Sequence, residues 1–356
     1  MAERFQVGID ARRTTLWPQT GIARYTRNLL REIDALAPSD IEVSPIDIKG
    51  SARESPDTLW AGHGTPAPRR AVEEQVTMTR LSRHLDLLHL PWSEGPAWPR
   101  CPLVTTVFDL AIVDRPDAYN WAFRTYYTRL VELHVRRAAR VIVSSQATLE
   151  AARRRWGNRP FRLIPLGVDA VYRGGSLDER AAEPTVLYTG GYDPRKRLGD
   201  LVRAIARVGR RIDDLRLVLT GEPPPALRRL LAEELGDRAV LTGFLSDEQL
   251  AAAYRQAWVV AYPTDDEGFG FPIVESFASG TPVIATRVGS IPEVAGDAAV
   301  LVDAGNADAL EEALESLLLN DAERARLREG GLRRAEQYRW PTTVARTLDV
   351  YREVLT

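Results

Sequence analysis

Lysine is nearly missing from this 356-residue chain: Lys49 and Lys196 are the only two, and arginine supplies the other 45 of its 47 basic residues. A lysine kept against that bias marks a place that wants a compact ammonium rather than a planar guanidinium. Cysteine is scarcer still. Cys101 stands alone, which excludes a disulfide framework and a thiolate metal cluster. The four histidines, His63, His84, His89 and His134, all fall in the first 134 residues, so a histidine triad or histidine metal site in the second half is excluded. No apolar run nears the roughly 20 residues that span a bilayer. MAERFQVGID enters a strand-like pattern without the long apolar stretch of a secretory signal, so the expected location is cytoplasmic.

What is present reads as α/β. Hydrophobic residues make up 44% and charged residues 27%, the range of a globular protein, and the length suits two domains. Strand-like runs at Phe5–Ile9, Ile41–Ile46, Leu85–Leu90, Leu103–Phe108 and Val141–Val143 alternate with helix-length segments. In one of these helices Ile22, Leu29, Leu30, Ile33 and Leu36 share a face. The second half repeats the alternation with strands at Thr185–Thr189, Leu215–Thr220, Ala239–Thr242, Trp258–Tyr262 and Val283–Ala285. Such alternation predicts parallel sheets covered by helices. The polar stretch VYRGGSLDERAAEP lacks any apolar period and predicts a boundary near the middle of the chain. Residues 1–170 carry net charge +5 and residues 171–356 net −7. The asymmetry is either a chance fluctuation or the mark of a first half that faces something anionic, such as a membrane surface or a phosphorylated acceptor.

The richest segment is Tyr262–Ala285, YPTDDEGFGFPIVESFASGTPVIA. A strand ends, a glycine loop follows, and Pro272 suits the first position of a helix whose first turn then holds Glu275. Unpaired N–H groups and the positive helix end favour phosphate there. Gly268 and Gly270 let the backbone come close to a ligand, and Glu267 and Glu275 can accept hydrogen bonds from sugar hydroxyls. An isolated pair of glutamates would more often be a helix-start residue and a solvated loop residue. The E-x7-E spacing, the GFGFP between and the S-x-x-x-G-T-P-V-I-A after it resemble the signature of retaining glycosyltransferase family 4, the group 1 glycosyltransferases.

That resemblance implies the GT-B fold: two Rossmann-like β/α/β domains facing across a cleft. Residues 1–170 would bind the acceptor, 171–184 would be a linker, and 185–338 would bind the nucleotide sugar. Residues 339–356 would form a helix crossing back to the first domain. TGGYDPRKRL, with Gly190, Gly191, Arg195 and Lys196, is similar to the family's phosphate loop. Many members carry arginine where this chain has Gly191; either Arg195 supplies that charge or the phosphate is held less tightly. VLTGFLSDEQL resembles the segment lining the base pocket through the backbone of Gly243, Phe244 and Leu245, and Ser246 also reads as a helix start. Phe269 and Phe271 belong to the donor-binding loop on the same grounds. In the first half, GID and TGIAR resemble the first strand and the glycine loop after it, with Gly21 opening a helix toward the donor phosphate. IPLGVD resembles the end of the first domain.

One departure stands out. Many members have histidine immediately before the aspartate where this chain reads TTVFDL. Phe108 cannot donate a hydrogen bond, so either another group does that work or the donor sugar does not need it. Asp109 either contacts the sugar or caps the loop, and His89 either lines the acceptor side or is a satisfied core histidine.

The implied reaction moves a sugar, with retention, from a GDP-, dTDP- or UDP-linked donor to a hydroxyl acceptor: a glycan, a lipid-linked sugar or a secondary metabolite. Lys196 and Arg195 would stabilise the leaving diphosphate, Glu267 would hold the sugar and Glu275 the ribose. Asp265 and Asp266 are adjacent rather than spaced as D-x-D, so no metal, no cofactor and no nucleic-acid partner is expected. The alternatives are a nucleotide-sugar epimerase of the same fold and a non-catalytic sugar-binding relative. A dinucleotide oxidoreductase would want G-x-G-x-x-G after a first strand, and neither half supplies it.

Overall fold

The computed structural model describes residues 4–16, 18, 20–47, 68–92, 95–110, 121–174 and 179–356; Lys49 and His63 lie outside them. The chain forms two units, Met1–Gly167 with Trp340–Thr356 (unit 1) and Val168–Arg339 (unit 2).

Unit 1 runs β1 (Phe5–Asp10), α1 (Arg12–Leu16), α2 (Gly21–Leu36), β2 (Ile41–Ile46), α3 (Pro68–Leu81), β3 (Leu87–Leu90), β4 (Leu103–Val107), α4 (Trp121–Arg137), β5 (Arg140–Val143), α5 (Gln146–Trp156) and β6 (Phe161–Leu163). Unit 2 follows as β7 (Thr185–Tyr188), α6 (Leu198–Val208), β8 (Arg216–Leu219), α7 (Pro225–Glu234), β9 (Ala239–Leu241), α8 (Asp247–Gln256), β10 (Val259–Tyr262), α9 (Phe271–Ala278), β11 (Val283–Thr286), α10 (Ile291–Ala295), β12 (Ala299–Val302), α11 (Ala307–Leu319) and α12 (Asp321–Ala335). Then α13 (Trp340–Leu355) returns to unit 1.

Each unit holds a six-stranded, all-parallel sheet, ordered β2-β1-β3-β4-β5-β6 and β12-β11-β10-β7-β8-β9. Central strands such as β7, β10 and β11 are buried along their whole length, which is why they read as unbroken apolar runs. The short strands β6 and β12 escaped the sequence reading. Counted from its own first strand, the second sheet has the order 3-2-1-4-5-6 of dinucleotide-binding sheets. Its strand order reverses between β7 and β10, and ligands bind at the carboxyl ends of the strands at such a switch point.

Three details differ from expectation. Helix α2 buries Ala23, Tyr25, Thr26, Asn28, Leu29 and Ile33, whereas Leu36 is exposed; the inward stripe follows the i, i+3, i+4 neighbours of Tyr25 rather than every aliphatic residue. The stretch expected as a linker is strapped to unit 2. Tyr172 is fully buried with its ring edge-on to Tyr254, its carbonyl accepts from Ser279 Oγ at 3.1 Å, and Ala181 N–H donates to the Gln256 carbonyl at 2.9 Å. An aromatic anchor and backbone pairing outweigh the polar composition there. Finally, α9 starts one residue early, so Pro272 is its second residue and Glu275 its fifth, beyond the first turn. Among the described residues, no helix is long and apolar enough to cross a membrane.

Candidate active site

The loops after β7 and β10 meet at the switch point of unit 2. After β7, Gly190 and Gly191 are exposed, and a short 3-10 turn over Pro194–Lys196 buries Lys196 to 4% exposure. After β10 comes Thr264–Gly270, whose Glu267 side chain is 14% exposed. Two strands of contact bind these loops together. Arg195 carbonyl accepts from Asp265 N–H at 2.7 Å, and Arg195 Nη1 donates to the Asp266 carbonyl at 2.9 Å. Arg195 Nε also pairs with Asp193 at 3.0 Å, so its guanidinium is a strut between the loops.

Lys196 lies at the centre. Its Nζ donates to Tyr262 Oη at 2.6 Å and to Glu267 Oε2 at 2.7 Å, and Tyr262 Oη donates to the same Oε2 at 2.6 Å. Burial works against the Glu267 charge, but Lys196, then Arg195, and the hydrogen bonds from Lys196 and Tyr262 outweigh it and bring the carboxyl down to about 2. Glu267 is thus an anion at neutral pH. The cluster is not saturated: an ammonium has three donors and a carboxylate two oxygens. Among the described residues, one Lys196 N–H and Glu267 Oε1 have no partner.

The main chain offers more donors. The N–H groups of Gly190, Gly191, Phe269 and Gly270 donate to nothing among the described residues. Gly270 precedes α9 with φ +90°, and Gly268 is buried beside it. The Phe269 ring is itself buried against Phe271 and Tyr338, which leaves only its backbone available. A clamp unseen in the sequence holds this loop: Ser290 N–H and Oγ both donate to the Glu267 carbonyl, at 3.0 and 3.1 Å. Gly289 must be glycine there. Its φ is +50°, and a Cβ would come within 2.3 Å of that carbonyl oxygen. A glycine–serine pair just after β11, the strand beside β10, was the available signal.

Glu275 is 2% exposed and accepts from Tyr254 Oη at 2.9 Å. At the ends of β8 and β9, Gly221 and Gly243 form an isolated bridge, with N–H to carbonyl 2.7 Å. Phe244 is 59% exposed beside it and Leu245 half-buried, and Tyr192, whose hydroxyl donates to the Thr220 carbonyl at 2.5 Å, lies on the same glycine. Ser246 caps α8 in a reciprocal pair with Gln249.

The remaining residues singled out from the sequence lie in unit 1. Gly21 opens α2 behind the Thr20 cap. Phe108 is partly exposed with its ring edge-on to Tyr25 at 5.0 Å, and Asp109 is half-buried next to it. His89 has no exposed surface; Nδ1 meets Tyr351 Oη at 2.6 Å and Nε2 meets Thr106 Oγ1 at 2.8 Å. Both nitrogens are occupied, which favours the core role for His89 over an acceptor contact.

The family models match in two pieces. Residues 20–172 match Glycosyltransferase Family 4, and residues 175–334 match Glycosyl transferases group 1. The D-inositol 3-phosphate glycosyltransferase of Corynebacterium glutamicum is 30% identical over 79% of this chain and 74% of that protein. The chain belongs to the group 1, family 4 glycosyltransferases. The MMP alpha-(1->4)-mannosyltransferase of Mycolicibacterium hassiacum is 36% identical to this glycosyltransferase over 55% of its chain, and the match spans about half that relative, 49%. Among solved structures, sucrose-phosphate synthase from Thermosynechococcus elongatus superposes with TM-score 0.78 and 26% identity, covering 98% of this glycosyltransferase and 99% of that chain. The fold is GT-B.

Proposed function

We propose that this glycosyltransferase moves a sugar from a nucleotide-diphosphate donor to a hydroxyl acceptor with retention of configuration and without a metal ion. The observation that carries the reading is the Lys196–Tyr262–Glu267 cluster, with its unused N–H and carboxylate oxygen, set among four unbonded backbone amides at the switch point. In this reading the amides and Lys196 take the diphosphate, Arg195 keeps their loops joined, Glu267 Oε1 accepts from a donor-sugar hydroxyl, and Glu275 takes the ribose. The exposed Phe244 ring gives the base an apolar face beside the Gly243 backbone.

The chemistry then needs little covalent help. The bond from the anomeric carbon to the phosphate oxygen breaks, the acceptor oxygen bonds to that carbon from the same face, and the acceptor proton passes to the leaving phosphate oxygen. Charge growing on the diphosphate is stabilised by Lys196 in a largely buried setting, where such contacts are strongest. A carboxyl held near 2 has no proton to give at neutral pH, so Glu267 orients and stabilises rather than serving as an acid. The donor is GDP-, dTDP- or UDP-linked, and the acceptor is a glycan, a lipid-linked sugar or a secondary metabolite.

The test is to incubate the enzyme with GDP-mannose, UDP-glucose and a dTDP-deoxysugar, follow the anomeric proton of the product by NMR, and repeat the assay in EDTA. Product with the donor's own anomeric configuration, formed at the same rate in chelator, is expected. An inverted product, or activity lost in EDTA and restored by Mg2+ or Mn2+, overturns the reading.

A further inference from the structure

The pair that carries the proposed chemistry is held by a residue to which the sequence assigns no role. Tyr262 is the last residue of β10 and Tyr188 the last of β7, and these strands are neighbours at the point where the sheet order reverses. Their rings stack at 6.4 Å with 17° between planes, and Tyr262 is 3% exposed. The Tyr262 hydroxyl uses both of its capacities on the site: it accepts from Lys196 Nζ and donates to Glu267 Oε2, each at 2.6 Å. Lys196 Nζ also lies 4.7 Å from the centre of the Tyr262 ring. On the other side of the stack, Tyr188 Oη donates to the Gly191 carbonyl at 2.5 Å. A Cβ on Gly190 would come within 3.1 Å of that hydroxyl and 3.4 Å of Tyr262 Cε2, so the glycine loop is laid directly on the two phenols.

We infer that Tyr262 is a positioning residue for sugar transfer, holding Lys196 and Glu267 in register, and that through Tyr188 it ties the carboxylate to the glycine loop. The inference rests on the reading of Lys196 and Glu267 as donor-handling groups. A buried ammonium and a buried carboxylate left with only each other make a single hydrogen bond, and each left-over donor or acceptor is costly. The phenol takes one N–H of Lys196 and fills Oε2 a second time, which leaves Oε1 and one N–H for the donor. A phenylalanine offers neither contact. The phenol must stay protonated to donate, and burial, with the nearby Glu267 charge, pushes its pKa well above the ordinary value.

The experiment is steady-state kinetics with the nucleotide sugar that the enzyme turns over. Tyr262→Phe keeps the ring and its stack. It is expected to lower kcat by about 10-fold or more, with the donor KM changed by less than about 3-fold. In the Lys196→Ala background the same change is expected to cost clearly less than in the wild type, because one of the two contacts it removes is already gone. Tyr188→Phe is expected to raise the donor KM with kcat held. It also serves as the second test if Tyr262→Phe does not fold. Wild-type kcat in Tyr262→Phe, a loss that multiplies in full on top of Lys196→Ala, or an unchanged donor KM in Tyr188→Phe each overturns the inference. Failure of the underlying reading looks different: Lys196→Ala would then keep wild-type turnover.

Discussion

Both units bury a polar network in a parallel sheet, and the two networks are built on opposite lines. In unit 1, His89, Thr106 and Tyr351 form a closed set, with both imidazole nitrogens used and all three side chains buried. Burial lowers the His89 pKa to about 3, so the ring is neutral. In unit 2, Lys196, Tyr262 and Glu267 form a charged set at the carboxyl ends of the two central strands, with an N–H and an oxygen to spare among the described residues. A closed neutral network ties elements together; here it fastens α13 to β3 and β4. An open charged one keeps binding capacity for something that arrives later. Satisfied networks rigidify a core, and partly satisfied ones mark sites.

The sharpest way to break that contrast is at Lys196. Lys196→Ala is expected to lower turnover by about 100-fold or more, the usual cost of losing a charge-stabilising contact in a dry site. Lys196→Arg is expected to fail as well, since a planar fork does not fit between Tyr262 and Glu267. Kinetics near wild type in either variant would move Lys196 into the same class as His89.

Acidification separates the units next. Burial lowers His89 to about 3 and His134 to about 4, against 6.5 for an ordinary imidazole. Below pH 6.5 the unfolded chain takes up protons that folded unit 1 refuses, so stability falls as pH falls through that window. By pH 5 the two histidines together cost on the order of 4 kcal/mol. Unit 2 contains no histidine. Its Glu267 has a depressed pKa, so that contribution is whole above the ordinary value of 4.5 and fades only as pH drops toward about 2. Hydrogen exchange at pH 7 and pH 5 is expected to show unit 1 opening first; the reverse order would refute the assignment.

The smallest expected effect is at Phe108, on the edge of the closed network. Phe108→His trades an edge-to-face contact with Tyr25, worth about 1 kcal/mol, for a hydrogen-bonding ring. If Phe108 selects an apolar donor carbon, the wild type prefers a 6-deoxy donor over its hexose parent and the variant loses that preference. Identical rankings would leave Phe108 as packing alone.

Much of this was legible in the sequence, for identifiable reasons. Buried parallel strands such as Val259–Tyr262 are continuous apolar runs, and Glu267, Glu275 and Lys196 sit in the segments that carry the family resemblance. What stayed hidden depends on side-chain direction or on distant partners. Tyr262 reads as one more strand aromatic until its hydroxyl is seen between Lys196 and Glu267. Ser290 grips a carbonyl 23 residues earlier in the chain. His89 was undecidable because its partner Tyr351 lies 262 residues away. The strands β6 and β12 are edge strands only three and four residues long.

The return of α13 to unit 1 sets an order of events during synthesis. Unit 2 is one uninterrupted stretch, Val168–Arg339, whereas unit 1 is complete only once Trp340–Thr356 has been made. Until then His89 Nδ1 lacks Tyr351, and the α2 face carrying Tyr25 lacks Trp340. The α2 face that α13 covers therefore has no cover until unit 2 has been made. Domains usually mature in the order in which they are made. Here the later unit has all of its residues before the earlier one, which needs a helix encoded beyond it.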